Sequence, residues 1–455
     1  MGSIVLDFET YYAKDYSLTK LTTQQYVDDP RFEVIGVAVK VDNEPTEWFS
    51  GTMDETKDWL EQFDWESAVA VAHNALFDAT ILTWRFGIKP KMWADTLSMA
   101  RAVHGTEVGG SLKALADYYG IGVKGDEVIN ALGKRRVQFS KEELARYGQY
   151  CRNDVELTYS LLKELATFFN KTEMKLIDMT IRMHSEPSFE LDIDLLEDHL
   201  HTIRANKAML LMQCNASGKD LMSNPKFAAL LEERGVIPPM KTSPTTGRPT
   251  YAFAKTDDGM KRLAEHPDLE VQALVAARIG TKSTLEETRT QRFIDIAHAG
   301  GALPVPLKYY GAMTGRWAAS DGTNLQNIPR GSRLKESIVA PEGHSIVGAD
   351  LSNIELRVGL YFANQMDKVT LLADGRDLYR DFIAPIFNVA YEDVTEELRF
   401  LGKTSQLSLI YGTGEHKLRA AIKQLSGKDI GEGLAKNLVQ TYRTEYANVK
   451  NSWYD

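Results

Sequence analysis

The chain has little cysteine: Cys151 and Cys214 are the only two in 455 residues. Two thiols cannot make a disulfide framework, and their spacing is not that of a zinc site, so cysteine chemistry is not expected to matter. Long apolar runs are also missing. No stretch approaches the roughly 20 residues that cross a bilayer, and the start, MGSIVLDFET, has no basic segment ahead of an apolar one. A soluble, intracellular protein is expected. Nor is there an excess of positive charge, since 53 Lys and Arg face 63 Asp and Glu for a formal charge of −10. Taken whole, that balance argues against a phosphate-rich partner. The charge is unevenly spread, however. Residues 1–170 carry 18 basic and 26 acidic side chains, whereas residues 399–455 carry 9 and 5. One end can gather carboxylates while the other meets phosphate.

At 43% hydrophobic and 25% charged residues the composition is ordinary for a globular protein, and the length suggests roughly three domains at about 150 residues each. From Ser3 to about Glu164 strand-like runs (SIVLDFETYY, FEVIGVAVKV, SAVAVAHN) alternate with helical ones (LKALADYYG, KEELARYGQYCRNDVELTYSLLKEL), the pattern of an α/β domain. Residues 173–235 are mostly helical by periodicity. VIPPMKTSPTTGRPTY is a break rich in turn residues, and DLEVQALVAARIG is a further helix. GALPVPLKYYGAMTGRWAASDGTNLQNIPR is too long and aperiodic for a helix, and long irregular segments are often functional. GHSIVGAD then reads as a strand, LSNIELRVGLYFA as a helix, and everything from Leu378 onward as helices.

Asp7 and Glu9 lie two apart on a strand and so share one face, with Leu6 and Phe8 on the other. Alone, D-x-E also describes a strand edge with its polar face in water. In HNALFD, Asn74, Phe77 and Asp78 fall where a strand turns into a helix; in YCRND, Tyr150 and Asp154 share a helical face. Together these motifs resemble the proofreading 3′–5′ exonucleases of the ribonuclease H-like superfamily, Tyr subtype, over residues 3–165. The resemblance implies two Mg²⁺ ions about 3.5–4 Å apart, with Mn²⁺ as a substitute, held by hard oxygen ligands from Asp7, Glu9, Asp78 and Asp154. It also implies that Tyr150 orients the attacking water. Asp95 either supports that shell or, as its position in WADTLSMAR suggests, caps a helix.

Thr314-Gly315-Arg316 followed by Asn324-Leu325-Gln326-Asn327-Ile328-Pro329 resembles the TGR…NLQNIP signature of family A (DNA polymerase I-like) DNA polymerases. The segment from Asp350 to Arg357 resembles that family's palm motif, although Ser352 and Glu355 also fit a helix capping box. Arg399, Lys403, Leu407, Tyr411 and Gly412 resemble its fingers helix, which Asp393 and Glu396 would begin and Gly412 end. The resemblance implies that Arg316, Asn324 and Gln326 follow the primer-template minor groove, and that Arg278 and Lys282 hold duplex phosphates. Asp350 would be a metal ligand and Glu355 a steric gate against the ribose 2′-hydroxyl. Arg399 and Lys403 would bind the triphosphate, Lys403 protonating pyrophosphate, while Tyr411 packs beside Glu355.

Three departures stand out. Leu407 replaces the usual aromatic, which predicts weaker stacking on the incoming nucleotide. Tyr379 stands where many members carry His. No His-Asp-Glu triplet occurs, so the second palm carboxylate is lacking. The expected architecture is therefore multidomain α/β and α: a ribonuclease H-like exonuclease (residues 1–170), with no 5′ nuclease ahead of it, and then a partial right-hand polymerase. That polymerase comprises a helical thumb (171–300), a palm portion (301–376) and a fingers portion (377–455). The expected function is two-metal nucleotidyl transfer and phosphodiester hydrolysis in DNA replication or repair. Its substrates would be primer-template DNA, single-stranded 3′ ends and dNTPs, in a bacterial or phage-infected cytoplasm and without a membrane partner. Polymerisation would need a missing C-terminal part or a separate chain, from a split gene or a truncated product. Two alternatives stay open: a free-standing 3′–5′ exonuclease whose polymerase remnant only holds DNA, and a non-catalytic DNA-binding scaffold.

Overall fold

The computed structural model describes residues 2–453 except 126–130, 215, 244–245, 256, 283 and 323. The chain divides into two compact units, Met1–Ile346 and Val347–Asp455. Among the described residues no helix is long and apolar enough to cross a membrane.

In the first unit the alternating runs build a five-stranded sheet of β1 (Ser3–Thr10), β2 (Val34–Val41), β3 (Glu47–Phe49), β4 (Val69–Ala72) and β5 (Met92–Asp95). The strand order is β3-β2-β1-β4-β5. β1 runs antiparallel to β2 and parallel to β4, which is parallel to β5. A central strand buried on both faces must be apolar on both. Ile4, Leu6 and Phe8 pack with Val37, Ala70, Ile81 and Phe86 on one side. On the other, Val5 packs with Ala38, Val71 and Ala94 against Cys151 and Val155 of the helix Lys141–Ala166. That helix starts at a capping box in which Ser140 accepts from the Glu143 N–H and Glu143 returns a bond to the Ser140 N–H.

The rest of this unit is mainly helical. The helices Ile193–Cys214, Leu269–Lys282 and Leu285–His298 enclose two apolar clusters, one around Phe227 and Leu274 and one around Leu196 and Phe293. Within the turn-rich break, Met240–Thr242 and Pro249–Tyr251 pair as a short antiparallel hairpin. In the long aperiodic segment, Leu307–Lys308 pairs with Ala318–Ala319 around the TGR turn. Trp317 anchors that hairpin by donating from its indole to Thr180 Oγ1 at 2.9 Å.

The second unit is a helical cluster around Leu356, Leu360, Phe382, Leu409, Tyr442 and Tyr446. Gln406 is buried at its centre and donates to the Leu378 carbonyl and to Tyr446 Oη, both at 2.8 Å. The sequence expectation fails at GHSIVGAD, which forms no strand. Its residues are exposed, Val347 by 89%, and none pairs in a ladder among the described residues. An apolar run becomes a strand only where a partner takes its N–H and C=O groups.

The Trp48 indole lies between two glycines. A Cβ at Gly36 would stand 2.3 Å from the ring, and one at Gly148 2.6 Å. Mid-helix Gly→Ala normally gains about 1 kcal/mol; here the clash should reverse the sign. Gly148→Ala is predicted to lower the urea unfolding free energy of the first unit by about 1–3 kcal/mol, the usual cost of overpacking. A neutral or stabilised variant would show that Trp48 gives way.

Candidate active site

Asp7 and Glu9 project from β1 toward the helix Lys141–Ala166, on the face of the sheet that also carries Val5. Asp78 enters from the first turn of the helix Leu76–Phe86 and accepts the Phe8 N–H at 3.1 Å. Asn74, at φ 71°, turns the chain out of β4 into that helix. Asp95 holds the turn: its carboxylate accepts the N–H groups of Asn74 and Ala75 and also caps its own helix through Leu97 and Ser98. Asp95 is therefore a helix cap that also fixes the approach of Asp78.

Across the site the helix Lys141–Ala166 presents Tyr147, Tyr150, Cys151 and Asp154. Tyr147 Oη donates to Glu9 Oε2 at 2.7 Å. Cys151 Sγ lies 3.3 Å from the Asp7 carbonyl and 3.4 Å from its Oδ2. Ligand atoms of Asp7, Glu9 and Cys151 all fall within 4.8 Å of one another, the one such group among the described residues. Asp154 is ion-paired to Lys124, whose ammonium lies 4.9 Å from the centre of the Tyr150 ring.

Packing acids together out of water opposes their ionisation. Burial, then the charge of Asp154, pushes Asp7 up from 3.8 to about 6, against the pull of Lys124 and the Cys151 thiol. Burial and Asp7 drive Glu9 well up despite the Tyr147 bond, and the same two causes drive up Asp78. The Cys151 thiol is pushed far up by burial and by Asp7, so it stays protonated in the metal-free protein. Asp154 Oδ1 is buried and has no hydrogen-bond partner among the described residues. Crowded carboxyl oxygens, one of them orphaned, are a donor set suited to a hard divalent cation.

The structure thus gathers Asp7, Glu9, Asp78, Tyr150 and Asp154. Tyr147, Cys151 and Lys124 were missed from sequence. The first two were detectable, because positions 147, 150, 151 and 154 follow the i, i+3, i+4, i+7 pattern of one helical face; Lys124 had no such signal. Cys151 enters the site as a buried, protonated thiol against Asp7.

The remaining residues are dispersed. In the first unit Arg316 is exposed beside the tight turn at Gly315, φ 77°. Gln326 donates to the Trp317 carbonyl at 3.2 Å, and Asn324 Oδ1 is buried without a partner among the described residues. Lys282 donates to Asn224 Oδ1 at 3.2 Å and lines a cavity of about 670 Å³ with Lys241 and Lys255. Arg278 is far more enclosed than its helix position suggests. It is only 1% exposed, bonds to the Leu221 carbonyl and Asn224, and lies 4.3 Å from the Phe227 ring centre. The guanidinium braces the helices, and the residue also lines the cavity shared by Lys282, Lys241 and Lys255.

In the second unit Asp350 lies in the exposed irregular run ahead of the helix Ile354–Phe362. The capping-box alternative fails, because Asn353, at φ 57°, is the cap and makes no side-chain cap bond. Glu355 and Tyr411 line one groove of about 600 Å³ with Val358, Phe362 and Ile410. Arg399 and Lys403 are one turn apart on the helix Glu396–Leu409, which Thr395 caps rather than Asp393. Arg399 pairs with Asp377 at 2.6 Å and lies over the buried Tyr379 ring; Lys403 is exposed and Leu407 half-buried.

Residues 196–455 match the model of DNA polymerase family A. The chain belongs to that family. Residues 16–168 of this family A chain match a 3′–5′ exonuclease model. The chain is 27% identical to DNA polymerase I of Pseudomonas aeruginosa, over 70% of its own length and 36% of that protein's. Against the DNA polymerase of Bacillus phage SP02 the identity is 23%, over 100% of this chain and 76% of the phage protein. The thermostable DNA polymerase I of Thermus aquaticus is 31% identical over 42% of the chain and 22% of that enzyme. This family A chain thus spans about a third of the Pseudomonas protein's length and about three quarters of the phage protein's. The fold resembles the POL domain of Pol1 from M. smegmatis, solved with DNA primer-template and dNTP, with a TM-score of 0.65 at 19% identity over 99% of this chain and 74% of that one.

Because the folded value of Asp7, about 6, exceeds the ordinary 3.8, the folded state holds a proton across that window which the unfolded chain has released. Stability therefore falls as pH rises through it. In EDTA, Asp7→Asn is predicted to melt several degrees above the wild-type chain at pH 7.5, the gap closing by pH 4. A gap independent of pH would contradict the assignment.

Proposed function

We propose that this chain removes nucleotides from single-stranded DNA 3′ ends by metal-dependent hydrolysis and supplies part of a family A polymerase site that binds primer-template and dNTP. The observation that carries the first half is the meeting of the half-buried Asp7 and Glu9 with the buried Asp78 and Asp154, three of these carboxyls driven up and one oxygen of the fourth without a hydrogen-bond partner among the described residues. Those four residues would hold Mg²⁺, or Mn²⁺ in its place. When bound, the ions supply a lowered water pKa and stabilisation of the leaving 3′ oxygen.

The protein's own groups do the rest. Burial and the neighbouring Asp154 keep the Tyr150 phenol protonated, so its hydroxyl orients the attacking water by hydrogen bonding and does not act as the base. Tyr147 fixes Glu9, Phe8 and the turn at Asn74 fix Asp78, and Cys151 fixes Asp7. Carboxylates that are themselves held by hydrogen bonds keep the orientation such chemistry requires.

For nucleotide transfer the reading assigns Asp350 to metal, Arg399 and Lys403 to the triphosphate, and Glu355 with Tyr411 to the sugar and nascent pair. Arg316, Asn324, Gln326 and Lys282 are assigned to DNA. Arg399 must then exchange Asp377 for phosphate when nucleotide binds. With no His-Asp-Glu in the sequence, a two-metal transfer needs a second palm carboxylate from elsewhere. Extension of a primer by these 455 residues alone, with dNTPs and Mg²⁺, would refute that requirement. The rival reading, an exonuclease whose polymerase portion only holds DNA, draws on the exposed, irregular placement of Asp350.

Asp7→Ala is predicted to cut Mg²⁺-dependent release of nucleotides from a labelled single-stranded 3′ end at least about 100-fold, the scale of removing a principal catalytic group. Undiminished release in that variant would place the hydrolytic site elsewhere.

A further inference from the structure

The loop after the helix Leu112–Tyr119 carries the sequence Gly120-Ile121-Gly122-Val123-Lys124 and is built to deliver one side chain. Gly122 sits at φ 143°, where a residue with a side chain is strained, and a Cβ there would lie 2.8 Å from Leu157 Cδ2 of the helix Lys141–Ala166. Asn153 pins it by donating from Nδ2 to the Val123 carbonyl at 3.0 Å. Asn153 is the immediate neighbour of Asp154, so the same helical turn holds both the loop and the carboxylate that its lysine meets.

We propose that Lys124 is the resident counter-ion of the carboxylate cluster: its ammonium holds Asp154, and a divalent cation that takes Asp154 must displace it, so Lys124 sets the cation affinity of the site. The inference rests on the metal-binding reading above and goes beyond it. Lys124 Nζ pairs with Asp154 Oδ2, while Oδ1 of the same carboxylate is buried and has no hydrogen-bond partner among the described residues. The ammonium lies 4.9 Å from the Tyr150 ring centre, so it also occupies the face of the residue assigned to the attacking water. Its charge opposes the rise of both Asp7 and Glu9. The Lys124 side chain is 25% exposed whereas that of Asp154 is 8% exposed. The lysine therefore has a way out to water that the carboxylate lacks. One positive charge among four acids moderates their repulsion without cancelling it, which holds the cluster together before metal arrives.

The test measures Mn²⁺ binding by calorimetry on the full chain in an Asp350→Asn background, which removes the other assigned metal ligand. Lys124→Gln should bind Mn²⁺ about tenfold more tightly, a difference of about 1.4 kcal/mol, and should melt at a lower temperature in EDTA. Lys124→Arg, which keeps the charge, should restore wild-type affinity to within about twofold. Asn153→Ala, which frees the loop, should move affinity in the same direction as Lys124→Gln. Equal or weaker binding by Lys124→Gln overturns the proposal. No Mn²⁺ binding by either protein overturns instead the metal-binding reading on which it rests.

Discussion

Like charges forced together out of water dominate this chain. Asp7 and Glu9 share a pleat because side chains alternate along β1, and the apolar Leu6 and Phe8 that alternate with them secure that strand inside the sheet. Asp78 and Asp154 arrive on helices that pack against opposite faces of the same sheet. The fold thus brings acids from three separate segments into one enclosure, and loss of hydration first, then their mutual repulsion, drives up Asp7, Glu9 and Asp78. Such an arrangement opposes stability, a cost that the Lys124 ammonium beside Asp154 moderates.

Support for the enclosure is mostly polar and indirect. Asp95 fixes a turn, Tyr147 a glutamate, Asn153 a loop and Cys151 an aspartate, and each contact joins elements distant in sequence. Close packing makes those contacts reach. With glycine at 36 and 148, Trp48 fits between strand and helix, and a methyl group at either position would collide with its ring.

The legible part of the sequence was its periodicity and its motifs. Strands β1, β2 and β4 and the helix Lys141–Ala166 followed from alternation and from the i, i+4 pattern, and Asp95 as a helix cap followed from its position. Burial of an isolated cation was not legible. Arg278 reads as a surface helix residue, yet Phe227 and Phe253 enclose it, and only tertiary packing decides that. The loop carrying Lys124 had no periodic signal at all. GHSIVGAD failed for a different reason: a strand is a property of two segments, and a one-dimensional pattern states only one of them. The capping box at Ser352 likewise lost to Asn353, whose left-handed conformation starts the helix one residue later.

Crystals of the chain soaked in Mn²⁺ and measured at the manganese absorption edge test the central claim most directly. The account predicts anomalous peaks about 2.0–2.2 Å from carboxylate oxygens of Asp7 and Asp154, with Lys124 swung away from Asp154. Peaks elsewhere in the first unit, with the four acids unoccupied at saturating Mn²⁺, would contradict it.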